Sequence, residues 1–116
     1  MRPIRVLVVD DSMMFRNMLV QGLNADPNIE VVAEAEDAYA ARDAIIKYKP
    51  DVMTLDVELP RMSGIEFLKK LMPQYPLPVV MISSLNNKVF DALEAGAVDF
   101  VNKPSNLNRA QLNDFL

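Results

Sequence analysis

The sequence predicts an α/β domain in which a parallel β-sheet carries helices on both faces. Short apolar runs alternate along the chain with longer segments whose apolar residues recur at helical spacing. The runs are almost continuously apolar, as in strands that are buried on both sides. Right-handed crossovers between parallel strands place the connecting helices on both faces of the sheet. The 116 residues suit a single core, and they contain neither an internal repeat nor a linker.

The first half of the chain contains three predicted strands and two predicted helices. In order, they are a strand at residues 4–9, a helix with apolar residues Met14, Phe15, Met18, Leu19 and Leu23, a strand at 29–35, a helix at 38–49 with Ala41, Ala44, Ile45 and Tyr48 at helical spacing, and a strand at 52–56. Ser12 is a candidate cap for the first helix. A turn-forming cluster at residues 24–28 ends that helix, and Pro50 stops the second one.

The second half continues the alternation after a proline-bearing loop at residues 57–64. In order, it contains a helix with apolar residues Ile65, Phe67, Leu68, Leu71 and Met72, a strand at 79–82, a short helix at 87–95, a strand at 98–101 and a final segment with Leu107, Ala110, Leu112, Phe115 and Leu116. Three prolines separate the third helix from the fourth strand, and Gly96 closes the short helix.

The composition excludes several kinds of chemistry. The chain has no cysteine and no histidine, so carboxylates, hydroxyls and lysines must carry any reaction. Its net charge of −4 disfavours direct binding to nucleic acid or anionic lipid. Apolar runs such as residues 79–82 are far shorter than the roughly 20 residues that a membrane span needs. We therefore expect a cytoplasmic protein without membrane contact.

Three carboxylates follow two of the predicted strands. Asp10 and Asp11 come directly after the first strand, and Asp56 ends the third. The ligand crevice of an open parallel sheet lies outside the carboxyl ends of its strands, so the three acids converge if these strands are neighbours. Mg²⁺ suits such a histidine-free oxygen site. The alternative for Asp10 and Asp11 is simple stabilisation of a helix N-terminus.

Two further polar residues lie at predicted strand ends. A carboxylate such as Asp56 can act as a nucleophile toward phosphorus and form an acyl phosphate. Lys103 follows the fifth strand and would meet a phosphate oxygen, and the Ser83 hydroxyl would hydrogen-bond the phosphoryl group. Alternatively, Lys103 is a solvated lysine and Ser83 opens a loop. Three glycines in the whole chain cannot form a glycine-rich nucleotide loop.

Several residues along the chain together form a recognisable sequence pattern. It consists of Asp10-Asp11, Leu55-Asp56, Pro60, Gly64, Ser83, Gly96-Ala97 and Lys103-Pro104. This pattern resembles the response-regulator receiver domain along almost the whole chain. The stretches at residues 54–62, 78–85 and 96–104 are similar to the receiver half of the chemotaxis protein-glutamate methylesterases.

The resemblance implies a flavodoxin-like, doubly wound sheet of five parallel strands in the order 2-1-3-4-5. It implies that Asp56 accepts a phosphoryl group from a histidine kinase, of the chemotaxis type, and that Lys103 contacts the phosphate. It also implies a Mg²⁺ site formed by Asp10, Asp11, Asp56 and the backbone carbonyl of Glu58. Glu58 is further implied to affect acyl-phosphate hydrolysis.

The resemblance further implies a conformational switch and a controlled output. Ser83 matches the hydroxyl residue that moves toward the phosphoryl group, and Phe100 matches the aromatic residue that changes rotamer with it. Lys103-Pro104 matches a junction that is usually cis. The output implied is control of an attached C-terminal methylesterase domain.

Two features depart from the family pattern. The segment from Ser83 to Gly96 is about one helical turn shorter than in the methylesterase receivers, which predicts a remodelled fourth helix. We expect residues 1–116 to form one receiver domain with no effector domain in this chain, either excised or stand-alone. The remaining alternatives are a receiver acting on a separate partner, an aspartate-based Mg²⁺ phosphohydrolase and a receiver that functions without phosphorylation.

Overall fold

A computed structural model of the chain describes residues 2–103. Its elements are β1 (Ile4–Val9), α1 (Met13–Asn24), β2 (Ile29–Ala35), α2 (Ala38–Tyr48), β3 (Val52–Leu55), α3 (Gly64–Leu71), β4 (Val79–Ser83), a 3₁₀ turn (Asn86–Lys88), α4 (Val89–Glu94) and β5 (Asp99–Asn102). The five strands form one parallel sheet in the order β2-β1-β3-β4-β5. The predicted fold class and strand order are confirmed.

The sheet carries an apolar core on each face. One core joins β1 residues Val6 and Val8 and β4 residue Ile82 to Phe15 and Leu19 of α1. The other core joins the alternate strand residues to α2, α3 and α4; its members include Leu7, Val9, Met53, Leu55, Val79, Met81, Ala41, Ile45, Phe67, Leu68 and Ala92. Full burial of one large apolar side chain stabilises a fold by roughly 1.5–3 kcal/mol. These two cores therefore hold the strand ends in place.

Side-chain caps fix the starts of α1, α2 and α3, where the caps are Ser12, Asp37 and Ser63. Ser12 Oγ accepts a hydrogen bond from the Phe15 amide at 3.2 Å, which confirms the predicted cap of α1. Asp37 accepts from the Ala40 amide at 2.8 Å at the start of α2. Such caps satisfy amides that have no partner inside the helix and are each worth about 1 kcal/mol.

Several predicted boundaries and burial assignments differ from the structure. The predicted helix at 87–95 is a 3₁₀ turn followed by the six-residue α4. Strand β5 begins one residue later than predicted, because Val98 precedes the ladder and is exposed. Met14 and Tyr48 were predicted on apolar faces, yet Met14 is 54% exposed and Tyr48 37%. Their helices pack through neighbouring residues, and periodicity alone does not fix the width of a buried stripe.

The final apolar segment and the Lys103-Pro104 junction lie outside the described residues. Within residues 2–103, the longest helix is the twelve-residue α1, and none of the helices has the length and hydropathy needed to cross a membrane.

Candidate functional site

The three predicted carboxylates meet at one edge of the sheet. Asp10 follows β1 and Asp56 follows β3, and these strands are neighbours with Val9 beside Leu55. The Asp56 amide donates to the Val9 carbonyl at 3.1 Å, which ties the two strand ends together. Each of Asp10, Asp11 and Asp56 offers a carboxylate oxygen within 4.8 Å of the others. The topology thus brings together acids that are 46 positions apart in the sequence.

Burial differs among these acids. Asp10 is 2% exposed and Asp56 is 4% exposed, whereas Asp11 is exposed. Buried carboxylates are costly unless they are hydrogen-bonded or paired with a cation. Asp11 therefore marks the side on which the site opens to solvent.

Lys103 supplies the paired cation. Its Nζ lies 3.2 and 3.0 Å from the two carboxylate oxygens of Asp10 and 3.4 Å from Asp56 Oδ2. The backbone positions it, because the Lys103 amide donates to the Ser83 carbonyl at 2.8 Å just past the β4–β5 ladder. The Nζ also lies 4.3 Å from the centre of the Phe15 ring, within the range of a cation–π contact.

Backbone amides and one guanidinium orient the two buried aspartates. The Ser12 amide donates to Asp10 Oδ1 at 2.8 Å, and the Glu58 amide donates to Asp56 Oδ1 at 3.1 Å. Arg16 Nη1 donates to the main-chain carbonyl of Asp10 at 2.6 Å. Hydrogen bonds of this kind hold a carboxylate in one orientation and favour its ionised form.

The environment shifts two pKa values in the site. Burial raises the pKa of Asp56 to about 6, because the attraction of Lys103 only partly offsets desolvation and the Asp10 charge adds to it. Burial also opposes the charge of Lys103, but its hydrogen bond to Asp10 and the charges of Asp56 and Asp10 outweigh that effect and raise its pKa. Lys103 therefore stays protonated at neutral pH.

The donor set fits Mg²⁺. When ionised, three carboxylates and one ammonium group leave the cluster with a net charge of −2. A divalent cation would balance that charge, and the all-oxygen ligands match its preference for carboxylates and water.

Ser83, the last residue of β4, and Ser84, which follows it, lie at the same edge of the sheet. Ser83 is fully buried, and its Oγ accepts a hydrogen bond from the Leu85 amide at 3.1 Å. The exposed Ser84 donates its hydroxyl to Glu58 Oε1 at 3.3 Å, so it links the loop after β4 to the loop after Asp56. Phe100 is half-buried on β5, next to Met81 of β4.

Sequence reasoning missed the contacts of Arg16 and Ser84. Arg16 also pairs with Glu34 Oε1 of β2 at 3.1 Å. Spacing along the chain carries no signal for either contact, because each depends on how separate loops and helices pack. Arg16 lies one helical turn after Ser12 in α1. A solvated arginine could occupy the same position, so the position alone does not indicate a contact.

The response regulator receiver domain family matches residues 6–113 of this chain. Among curated relatives, "protein-glutamate methylesterase/protein-glutamine glutaminase 2" of Syntrophomonas wolfei is 66% identical over 115 residues, which cover 99% of this chain and 34% of that protein. The chain spans about a third of the length of the curated relatives it matches.

Two solved structures extend the match. The response regulator domain of Thermotoga maritima CheB has a TM-score of 0.89 and 41% identity, with 97% of this chain and 87% of that chain covered. A chain of the CheX-CheY-BeF3-Mg²⁺ complex from Borrelia burgdorferi has a TM-score of 0.77 and 34% identity, with 98% and 87% covered. The chain therefore belongs to the response regulator receiver domain family and, within it, to the receiver domains of the chemotaxis methylesterase CheB type.

Proposed function

We propose that this chain is a phosphorylation-controlled switch that accepts a phosphoryl group on Asp56 from the phosphohistidine of a kinase, with Mg²⁺. The observation that supports this most is the placement of Lys103 Nζ 3.4 Å from Asp56 Oδ2, with Asp10 and Asp11 on the same edge of the sheet. A buried carboxylate next to a fixed cation and further acids combines a nucleophile with a binding site for a charged group.

Asp56 acts as the nucleophile. Since its pKa is about 6, Asp56 is mostly ionised at neutral pH. A carboxylate oxygen attacks phosphorus, and an O–P bond forms while the N–P bond to the donor imidazole breaks. The electron pair of that bond leaves with the imidazole nitrogen. The product is an acyl phosphate on Asp56.

The neighbouring groups hold the transferred phosphoryl group. Lys103 is close enough to Asp56 for its ammonium group to contact a phosphoryl oxygen. Mg²⁺, held by Asp10, Asp11, Asp56 and the main-chain carbonyl of Glu58, would offset charge on that group. The similar CheX-CheY-BeF3-Mg²⁺ complex from Borrelia burgdorferi supports this assignment.

Ser83 and Phe100 then convert phosphorylation into a change of surface. To bond the phosphoryl group, Ser83 exchanges its hydrogen bond with the Leu85 amide for one to a phosphoryl oxygen. Phe100 lies two residues before Asn102, the β5 partner of Ser83. Its side chain changes rotamer when Ser83 moves. The surface formed by α4 and β5 is therefore the output surface.

The output is control of a methylesterase domain attached to this receiver in the full-length protein. The curated relatives support this, because they carry the methylesterase name and are about three times as long as the matched region. A kinase of the chemotaxis type is the corresponding phosphodonor.

The test is the intact mass of the 116-residue chain after incubation with acetyl phosphate and Mg²⁺. We expect the gain of one phosphoryl group, abolished by Asp56→Asn and by a chelator. Asp91→Asn is the matched control, because Asp91 is an exposed carboxylate on α4 outside the cluster. It should leave labelling unchanged.

Three results would contradict the proposal. Labelling that persists in Asp56→Asn would move the acceptor to another residue, and labelling in chelator would remove the metal from the mechanism. Release of many phosphates per chain would identify a phosphohydrolase instead of a switch.

A further inference from the structure

A groove between α2 and α3 lies apart from the acid cluster. It encloses about 600 Å³, and none of its lining residues belongs to the phosphorylation site. Buried Ile45 and Phe67 are among the residues that line it. Exposed Tyr39 and Ile46 of α2 and Tyr75, beyond α3, contribute further apolar surface, and Ile46 is 65% exposed. Contiguous exposed apolar surface of this kind marks an interaction site more often than scattered apolar residues do.

The charged residues of the groove are all cations. Arg42 from α2 and Lys70 from α3 line it, and its described lining contains no carboxylate. This local excess is opposite in sign to the net charge of −4 of the chain. The groove therefore attracts negatively charged groups, whereas the net charge of the chain as a whole repels them.

Both cations are available to a ligand. Arg42 lies 3.4 Å from the adjacent Asp43, but both side chains are mostly exposed, and such a pair contributes little. For Lys70, no ion pair is formed with any residue of the described range 2–103. Within the described residues, neither Arg42 nor Lys70 forms a strong ion pair.

The aromatic surface at the groove is held in place by neighbouring cations. The guanidinium carbons of Arg42 and Arg61 lie 6.0 and 5.6 Å from the centre of the Tyr39 ring. Arg61 is itself fixed by a 2.8 Å ion pair with the buried carboxylate of Asp37. A preorganised aromatic side chain loses less entropy when a partner covers it.

We propose that this groove binds an acidic segment of a partner protein that carries leucine or aromatic side chains on one face. The apolar surface takes the apolar face of the segment, and Arg42 and Lys70 pair with its carboxylates. An amphipathic helix laid into a groove between two helices is a recurrent mode of recognition.

Other occupants fit these observations less well. Two lining cations on a chain with net charge −4 are too few for a nucleic acid or an anionic membrane, where binding depends on neutralising many charges. A symmetric contact with a second copy would bring the cations of the two grooves together, because a two-fold interface joins identical patches. The acidic segment satisfies both the charge and the apolar surface.

The test is a titration of the ¹⁵N-labelled chain followed by NMR. The probe is a capped twelve-residue helical peptide with leucine and phenylalanine on one face and glutamate on the other, compared with a peptide in which lysine replaces glutamate. We expect amide shifts confined to α2, α3 and the residues up to Tyr75. The expected Kd lies between roughly 10 μM and 1 mM, as for a small transient interface.

Charge reversal tests the electrostatic part of the proposal. Lys70→Glu should weaken the glutamate peptide about tenfold or more and favour the lysine peptide. Lys88→Glu is the matched control, because it makes the same charge change in the 3₁₀ turn outside the groove. Ile46→Ser removes exposed apolar surface and should weaken both peptides.

Four outcomes would overturn the proposal. They are the absence of amide shifts at about 1 mM peptide, equal affinity for the two peptides, a loss of affinity in Lys88→Glu as large as that in Lys70→Glu, and amide shifts centred on α4 and β5. Groove shifts that depend on the concentration of the chain alone would identify a second copy as the occupant and overturn it as well.

Discussion

At the scale of single residues, the burial of an ionised aspartate in the acid cluster lowers the stability of the folded chain. Asp56 is buried beside Asp10, and its ionised form is favoured less in the folded chain than in water, as its pKa of about 6 shows. Lys103 offsets this cost only in part, although its Nζ lies 3.4 Å from Asp56 Oδ2. An apolar or neutral side chain at position 56 would therefore suit the fold better than aspartate does.

We predict that Asp56→Asn raises the stability of the metal-free chain at about pH 7.5 by roughly 1–3 kcal/mol. Because the folded-state pKa of Asp56 is raised from 3.8 to about 6, the folded chain binds this proton more tightly than the unfolded chain does. Stability thus falls as pH rises through this interval, and the full cost is present above the folded-state pKa. The neutral amide of asparagine removes that cost.

Urea unfolding in chelator measures this difference across pH. The gain should shrink as pH falls below the folded-state pKa and vanish below the ordinary value of 3.8, where Asp56 is protonated in both the folded and the unfolded chain. Asp91→Asn, at an exposed position, should change stability little at any pH. A gain in Asp56→Asn that is independent of pH would show that packing, not ionisation, is the cause.

Sequence patterns predicted the residues of the site better than the contacts that orient them. The positions of Asp10 and Asp56 at strand ends predicted convergence on the condition that the two strands are neighbours, and the structure meets that condition. The Arg16 contact with the Asp10 carbonyl and the Arg61 pair with Asp37 were not predicted. Such contacts depend on loop conformations that no local pattern encodes.

At the scale of secondary structure, the loop between β3 and α3 positions Asp56. The Gly64 amide donates to the Val57 carbonyl at 2.8 Å, which folds the loop back on the strand end. As a result, Gly64 lies so close to the main-chain carbonyl of Asp56 that an added Cβ would collide with it. The absence of a side chain at this position is therefore a requirement of the site, not of helix α3.

We predict that Gly64→Ala destabilises the chain by about 2–4 kcal/mol and slows labelling of Asp56 by acetyl phosphate. The new methyl group must displace backbone, which cannot yield as a flexible side chain does. Urea unfolding and the rate of the intact-mass change measure the two effects.

Ser63→Ala is the neighbouring control. It removes the hydrogen bond from the Glu66 amide to Ser63 Oγ at the start of α3, but it adds no atom beside Asp56. We expect a loss of about 1 kcal/mol and an unchanged labelling rate. If both variants slowed labelling equally, the start of α3 rather than the contact with the Asp56 carbonyl would be responsible.

The elements differ in how far their sequences determine them. Periodicity identified α1 and α2, and Ser12 was predicted as the cap of α1, whereas the Asp37 cap of α2 was not predicted. The short α4 was predicted as one helix at 87–95, yet its first turn is a 3₁₀ turn with no side-chain cap. Short elements without caps depend on tertiary packing, which is not visible in the sequence.

At the scale of the whole molecule, topology and charge act together. The order β2-β1-β3-β4-β5 brings the ends of β1, β3 and β5 into one site, although β5 is separated from β3 by β4. A chain with net charge −4 concentrates three acids there and keeps cations in the groove between α2 and α3. Two surfaces of opposite sign would allow one small domain to bind the proposed cation and the proposed acidic partner at separate places.

The charge of the acid cluster leads to a prediction for the stability of the whole domain. A ligand that binds only the folded chain stabilises it by about 2.7 kcal/mol at 100 times its Kd. For a domain of 116 residues, each kcal/mol raises Tm by roughly 4 °C. We therefore expect Mg²⁺ to raise Tm progressively with the logarithm of its concentration, by about 10 °C at 100 times its Kd. Potassium chloride at matched ionic strength should have little effect, because general screening does not select a divalent ion.

Asp10→Asn should abolish most of the rise, since Asp10 offers one of the three clustered carboxylates. Asp91→Asn should retain it in full. An equal rise in potassium chloride, or an undiminished rise in Asp10→Asn, would place the metal effect outside the cluster.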